Sequence, residues 1–462
     1  MSTLTLIAII LLGQAKSNVS FEDKTLALIP DDIKATDITF SPDGKQVAYK
    51  SFRNGKTWIT INKDKGPDYP GIADAPVWSS NNKVAYRATD GKGWFIVTGG
   101  QPGPTISVVG KPVWSPDGSK IAYEASRGQA GPMDKSAWSV YVGGQKGLDF
   151  ASCGSPVFSA DGSVVAYPVR IGKAGTANRA FYTVHALVVG GKVASAECDQ
   201  IANVTFAPKG SRLAYQLRSP DGWSIVVDGK AQLGGFTTVG EPLWSPDASR
   251  IAFTATDENK NYVVVDGKKS EEYTSVSELV WSSDSKHLAC SARKGNDSFI
   301  LLDGKPLESY DAVASPAFSP DGSILAYGAR KAPGKFMMIL GDRKFDASYD
   351  QVGKPIFSPD GKKVAYFALW KYKSIIAMND GKSEIFDAIG KEGPVWSPDS
   401  TQFAYAGLKD QKWYMIIGYR RIEAFDEILT GPNWSSDGKK CAYGARKGQE
   451  LIWRVYKVPE DQ

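Results

Sequence analysis

The chain has 462 residues, a net charge of +5, 42% hydrophobic residues and 47 glycines. So much apolar and turn-forming content excludes a disordered chain. A charge this small, with no long block of like charge, excludes a dedicated nucleic-acid binder.

The first element is the apolar run Leu4 to Leu12, too short to cross a bilayer, which takes about 20 residues. Gly13 and Ala15 follow as small residues at the −3 and −1 positions of a cleavage after Ala15. The segment 1–15 therefore reads as a secretory signal peptide, although no Lys or Arg precedes its apolar run. The expected product is an exported, periplasmic or extracellular protein spanning 16–462.

From Phe40 onward one phrase recurs eleven times. The copies start at Phe40, Trp78, Trp114, Phe158, Phe206, Trp244, Trp281, Phe318, Phe357, Trp396 and Trp434. "WSPDGSKIAY" at Trp114 is typical. The spacings are 38, 36, 44, 48, 38, 37, 37, 39, 39 and 38 residues, the period of propeller blades. Each repeat predicts four strands. "PVW" is the first, and an S-P-D-G turn leads to a second such as "KIAYEA". A hairpin with Asp-Gly follows a third such as "WSIVVDGK". A short fourth is read in "SYDAV" at Ser309 to Val313 and "SYDQV" at Ser348 to Val352. One blade cannot bury both of its faces, so blades must stack around an axis.

The two chain ends complement each other. The last repeat runs out after its third strand, and "TLALIPDDIKATDITF" before Phe40 has the phase of a missing outer strand. The expected fold is all-β, a propeller of eleven four-stranded blades. A single closed ring is favoured because no linker interrupts the copies. Two smaller rings in tandem are the alternative.

The [FW]-S-P-D-G-x-x-[IVL]-A-[YF] segments resemble the WD-like propeller repeats of the TolB C-terminal domain family, over about residues 28 to 455. The resemblance implies a bacterial exported or periplasmic propeller that binds partners through its faces.

The turn aspartates Asp43, Asp117, Asp161, Asp247, Asp284, Asp321, Asp360, Asp399 and Asp437 recur too regularly for chemistry. Asn82 and Lys209 replace them in two copies, so they read as turn acceptors. The two histidines, His185 and His287, cannot supply a repeated acid–base or metal centre. Cys153, Cys198, Cys290 and Cys441 take apolar slots of the repeat and read as buried thiols, with Cys153–Cys198 the one pair to check for a disulfide.

Basic residues break this uniformity. Arg170, Arg218, Arg293, Arg330 and Arg446 follow the "AY" phrase by three residues, and Arg53 and Arg127 by four. All fall where the second strand turns toward the third. The fourth strands end nearby with Asp311, Asp350, Asp387 and Asp426. Either Arg–Asp pairs form or a cationic rim receives an anionic partner. Two long loops share this face, Ser126 to Trp138 and Arg170 to Val184. Binding is therefore expected at Arg127, Lys135, Arg170, Lys173, Arg179 and Tyr182.

The reading is a non-catalytic binding scaffold for a protein or glycan partner. Polysaccharide or other anion binding is the alternative, and a hydrolase or lyase at the channel mouth a remoter one. No cofactor, metal, nucleic acid or membrane span is expected, and the chain is expected to be monomeric.

Overall fold

A computed structural model describes residues 21–30, 34–128, 138–174, 181–331, 334–345, 349–379 and 381–459. The proposed signal peptide lies outside these residues. The described chain forms eleven antiparallel sheets and no helix. Among the described residues no helix is long and apolar enough to cross a membrane.

Blade 7 shows the plan. Its strands are Ser275–Trp281, Leu288–Lys294, Asp297–Leu302 and Lys305–Pro306, paired in that order. The first strand of blade 8, Ala312–Phe318, lies against the first three strands of blade 7. Alternation explains the stacking: in "LACSA" both faces of the second strand are buried, because blades cover it on either side.

The sheets form one ring. Each hydrophobic cluster joins two successive blades, and the clusters run without a break from blade 1 to blade 11. A further cluster joins blade 11 back to blade 1 through Leu451, Phe40, Val47 and Tyr49. Tandem rings would lack that contact. Closure is completed by the N-terminal strand Phe21–Leu28, which pairs with Glu450–Lys457 as the outermost strand of blade 11. It covers an edge that would otherwise be exposed.

The S-P-D-G phrase works as a fastener at two levels. Within the turn, Ser115 Oγ donates to Asp117 Oδ1 at 2.5 Å and accepts from Lys120 N at 2.9 Å. Asp117 also accepts from Ser119 N at 3.0 Å. Between blades, Asp247 N donates to Ser285 Oγ and Asp360 N to Ser400 Oγ. The anchor tryptophans add a second tie. Trp114, Trp281, Trp396 and Trp434 each donate Nε1–H to a carbonyl of the preceding blade, at 3.0–3.2 Å.

Two sequence expectations are corrected here. In blade 2 the residue replacing the turn aspartate is Asn81, which accepts from Ser79 Oγ at 2.6 Å. Asn82 instead takes the glycine position, with φ of 61°. The second correction concerns the fourth strand. "SYDAV" is not one strand, because it crosses between blades. Tyr310 bridges to Ser298 of blade 7, whereas Val313 already pairs with Ala329 of blade 8. "SYDQV" divides in the same way between Tyr349 and Val352. The fourth strands lie earlier, at the hairpin itself, as in Lys305–Pro306.

Candidate functional site

One face of the ring carries the second-to-third-strand loops and the crossovers between blades. The other carries the S-P-D-G turns and the third-to-fourth hairpins. Arg330 fixes this geometry, since its backbone carbonyl accepts from Asp311 N in the crossover at 3.0 Å.

The cationic rim lies on the first face. Arg127, Arg170, Arg218 and Arg293 are exposed, and none of the four forms an ion pair among the described residues. Arg218 lies over the Trp223 ring, Arg293 Nε donates to Gly295 O at 3.0 Å, and Arg170 donates to Thr183 Oγ1 at 3.1 Å. Arg330 lies over Phe336, and Arg446 pairs with Glu427 at 3.6 Å. Three crossover aspartates pair with lysines, and they lie against blades 9, 10 and 11, away from the four exposed arginines. Asp350, Asp387 and Asp426 pair with Lys335, Lys373 and Lys412 from the start of the third strand. Each is held below the usual carboxylate range by that lysine. In each case a backbone N–H of the adjacent turn also donates to the carboxylate.

The long segment of blade 4 is not a loop. Strands Val165–Ala174 and Phe181–Val189 stay paired through Ala174↔Phe181, so the hairpin continues as a ribbon. Arg170 and Lys173 sit on it, with Lys173 paired to Glu197 at 2.5 Å. The backbone of Tyr182 pairs with Lys173. Lys135 and Arg179 lie outside the described residues, as does most of the loop after Arg127. Arg127 and Arg170 thus stand on successive blades, 3 and 4. His185 faces Arg170 across the ribbon, and burial followed by the Arg170 charge lowers its pKa. His287 lies on the opposite face, its Nδ1 2.7 Å from Asp303.

The position after "AY" forms a feature that the sequence reading did not single out. Several of its side chains reach the first strand of their own blade, and those of Arg87 and Gln216 also reach the next blade. Lys50 pairs with Asp37 at 2.5 Å. Arg87 Nε donates to Asp74 Oδ2 at 2.7 Å, and its Nη1 reaches Val109 O of the next blade at 2.9 Å. Gln216 accepts from Asn203 Nδ2 at 3.0 Å and donates to Val239 O and Gly240 O of the next blade. Ser291 donates to Glu278, which accepts from Ser315 N of blade 8. Pro168 interrupts this polar belt in blade 4, and the belt ends after blade 7. Gly328, Phe367, Ala406 and Gly444 follow, and Leu369 and Leu408 take the arginine slot on blades 9 and 10. Beside them Tyr372 is 90% exposed.

The four cysteines are free thiols, Cys290 and Cys441 buried and the other two half-buried. Burial pushes Cys153 up to about 12 and Cys198 to about 11. Among the described residues no three His, Cys, Asp or Glu side chains are placed to hold a metal ion.

No protein family and no curated protein matches the chain in sequence comparison. Solved structures of similar shape include one described as the eukaryotic initiation factor, 13% identical, covering 88% of this chain and 92% of that chain with a TM-score of 0.40. The Dos1 propeller is 11% identical over 66% of this chain and 92% of its own, with a TM-score of 0.34. TolB from Acinetobacter baumannii is 15% identical over 64% of this chain and 81% of its own, with a TM-score of 0.26. The propeller assignment rests on the strand order and the closed set of interfaces, not on these matches.

Proposed function

We propose that the protein is an exported, non-catalytic binding scaffold whose loop face receives an anionic partner, protein or glycan. The single observation behind this reading is the set of exposed arginines on that face. Arg127, Arg170, Arg218 and Arg293 are exposed and form no ion pairs among the described residues. Exposed arginines suit carboxylate, sulfate or phosphate groups, because the planar fork binds two oxygens at once. The blade 4 ribbon carries Arg170 and Lys173, and with Arg127, Lys135, Arg179 and Tyr182 it is the first place to look for contact. The TolB-like repeat phrase supports export and binding as the family role. Cleavage after Ala15 is part of the same proposal, and the N-terminal mass of the exported protein tests it.

The rim is tested by charge removal with a matched control. Arg170→Ala, Arg218→Ala and Arg293→Ala together remove three charges from the loop face. Lys83→Ala, Lys192→Ala and Lys230→Ala remove three from the turn face. Retention on immobilised heparin and on polyglutamate is then compared. The proposal expects the loop-face variant to elute at clearly lower salt than the control. Equal elution of the two variants contradicts it.

A further inference from the structure

The inter-blade slot behind the polar belt recurs around the ring, and its occupants show what it accepts. In blade 2 the slot holds the Arg87 guanidinium, between the Asp74 carboxylate and Val109 O. In blade 5 it holds the Gln216 amide, donating to Val239 O at 3.0 Å and Gly240 O at 2.9 Å. Where the residue is small, a neighbour usually fills the space. A Cβ on Gly328 would lie 2.4 Å from Val352 Cγ2, and one on Gly444 would lie 2.5 Å from the Phe40 ring.

Between blades 10 and 11 the slot is left open. Its floor is Ala406, and a cavity of about 490 Å³ stands above it, lined by Ala406, Trp413, Glu392, Ile428, Leu429 and Gly431 among others. The polar framework of the filled slots is retained. Ile428 pairs with Ala445 as Val109 pairs with Ala125 and Val239 with Ala255. Leu429 N bonds to Gly444 O as Gly240 N bonds to Thr254 O. The carbonyls of Ile428 and Leu429 therefore correspond to those that Gln216 reaches in blade 6. Glu392 stands four residues before its anchor tryptophan, as Asp74 does. Its carboxylate lies over Gly431, where a Cβ would fall 1.4 Å from Oε2. Glu392 is exposed and has no hydrogen-bond or ion-pair partner among the described residues.

We propose that this cavity binds the side chain of an arginine presented by a partner polypeptide. The guanidinium takes the place that Arg87 holds in blade 2, paired with Glu392 and donating to the carbonyls of Ile428 and Leu429. The apolar stem lies along Ala406, with Trp413 as an aromatic wall that favours a planar cation. A neutral amide lacks the charge that pairs with Glu392, and an ammonium cannot donate in the same fork.

Calorimetric titration of the full chain with N-acetyl-arginine amide tests this, with the citrulline and lysine analogues as comparisons. Saturable binding at least tenfold tighter for arginine is expected. Ala406→Arg supplies the side chain from within, so it is expected to abolish binding and raise Tm. Glu392→Gln is expected to weaken binding at least fivefold, and it serves the same purpose if Ala406→Arg fails to fold. No saturable binding to the unsubstituted chain overturns the proposal. So does undiminished binding by Glu392→Gln or by folded Ala406→Arg. Neither result bears on the arginine rim, which is tested separately.

Discussion

Phe40 and Trp453 come from opposite ends of the chain and pack with ring centroids 5.5 Å apart. Phe40 is the anchor of blade 1, and Trp453 lies on the third strand of blade 11. Their contact belongs to the cluster that closes the ring. Truncating a buried phenylalanine loses transfer energy and leaves a cavity. Phe40→Ala is therefore expected to cost about 3 kcal/mol, read as a lower urea midpoint. A change within error would mean that the interface carries no stability.

Gly44 lies beside the same junction, with φ of +67° and the Trp453 ring against its α-carbon. An added Cβ would fall 2.0 Å from Trp453 Cε2. Gly44→Ala thus combines left-handed strain with a clash. It is expected to destabilise the chain more than Gly55→Ala, where φ is also positive and no atom lies within 4 Å. Thermal unfolding of the two variants side by side checks the order.

The turn carboxylates make stability pH-dependent. Hydrogen bonds from Ser115, then Ser119, hold Asp117 down to about 2, and Ser159 with Ser163 does the same for Asp161. A carboxylate lowered in the folded state adds stability above its unfolded pKa near 4 and loses it as pH falls through the folded value. Urea midpoints are therefore expected to fall between pH 4 and pH 2. Asp117→Asn keeps an acceptor, as Asn81 does naturally in blade 2. It is expected to fold at neutral pH with a shallower acid loss.

Thiol reactivity reports on packing. Desolvation pushes Cys290 and Cys441 up to about 12, and both are buried. Native protein at pH 8 is expected to label slowly with a thiol reagent, and all four cysteines quickly in denaturant. Non-reducing peptide mapping is expected to find no Cys153–Cys198 link, and finding one would contradict the free thiols described here.

The architecture was legible because its signals are local. Ser115, Asp117 and Gly118 make their turn within a few residues, and the phrase repeats it in most blades. The missing strand before Phe40 was legible for the same reason, as a break in phase. The fourth strand was misread because "SYDAV" looks continuous, although Tyr310 and Val313 belong to different sheets. Pairing between blades has no mark in a single segment. The arginine rim was visible as a pattern, but its partners were not. That Asp387 takes Lys373 depends on how the crossover folds back over the third strand. The open slot at Ala406 was hidden in a different way. Its emptiness depends on what its neighbours fail to reach, whereas Gly444 is filled by Phe40. The contrast of Arg87 and Gln216 with Ala406 after the "AY" phrase was the available clue.

A single ring closed by the N-terminal strand underlies both proposed sites, since it fixes which loops share a face. End-on class averages of the purified chain by electron cryomicroscopy test this directly. The expected result is one ring of eleven radial blades around one central opening. Two smaller rings, or an open arc with a gap between Phe40 and Trp453, would contradict it.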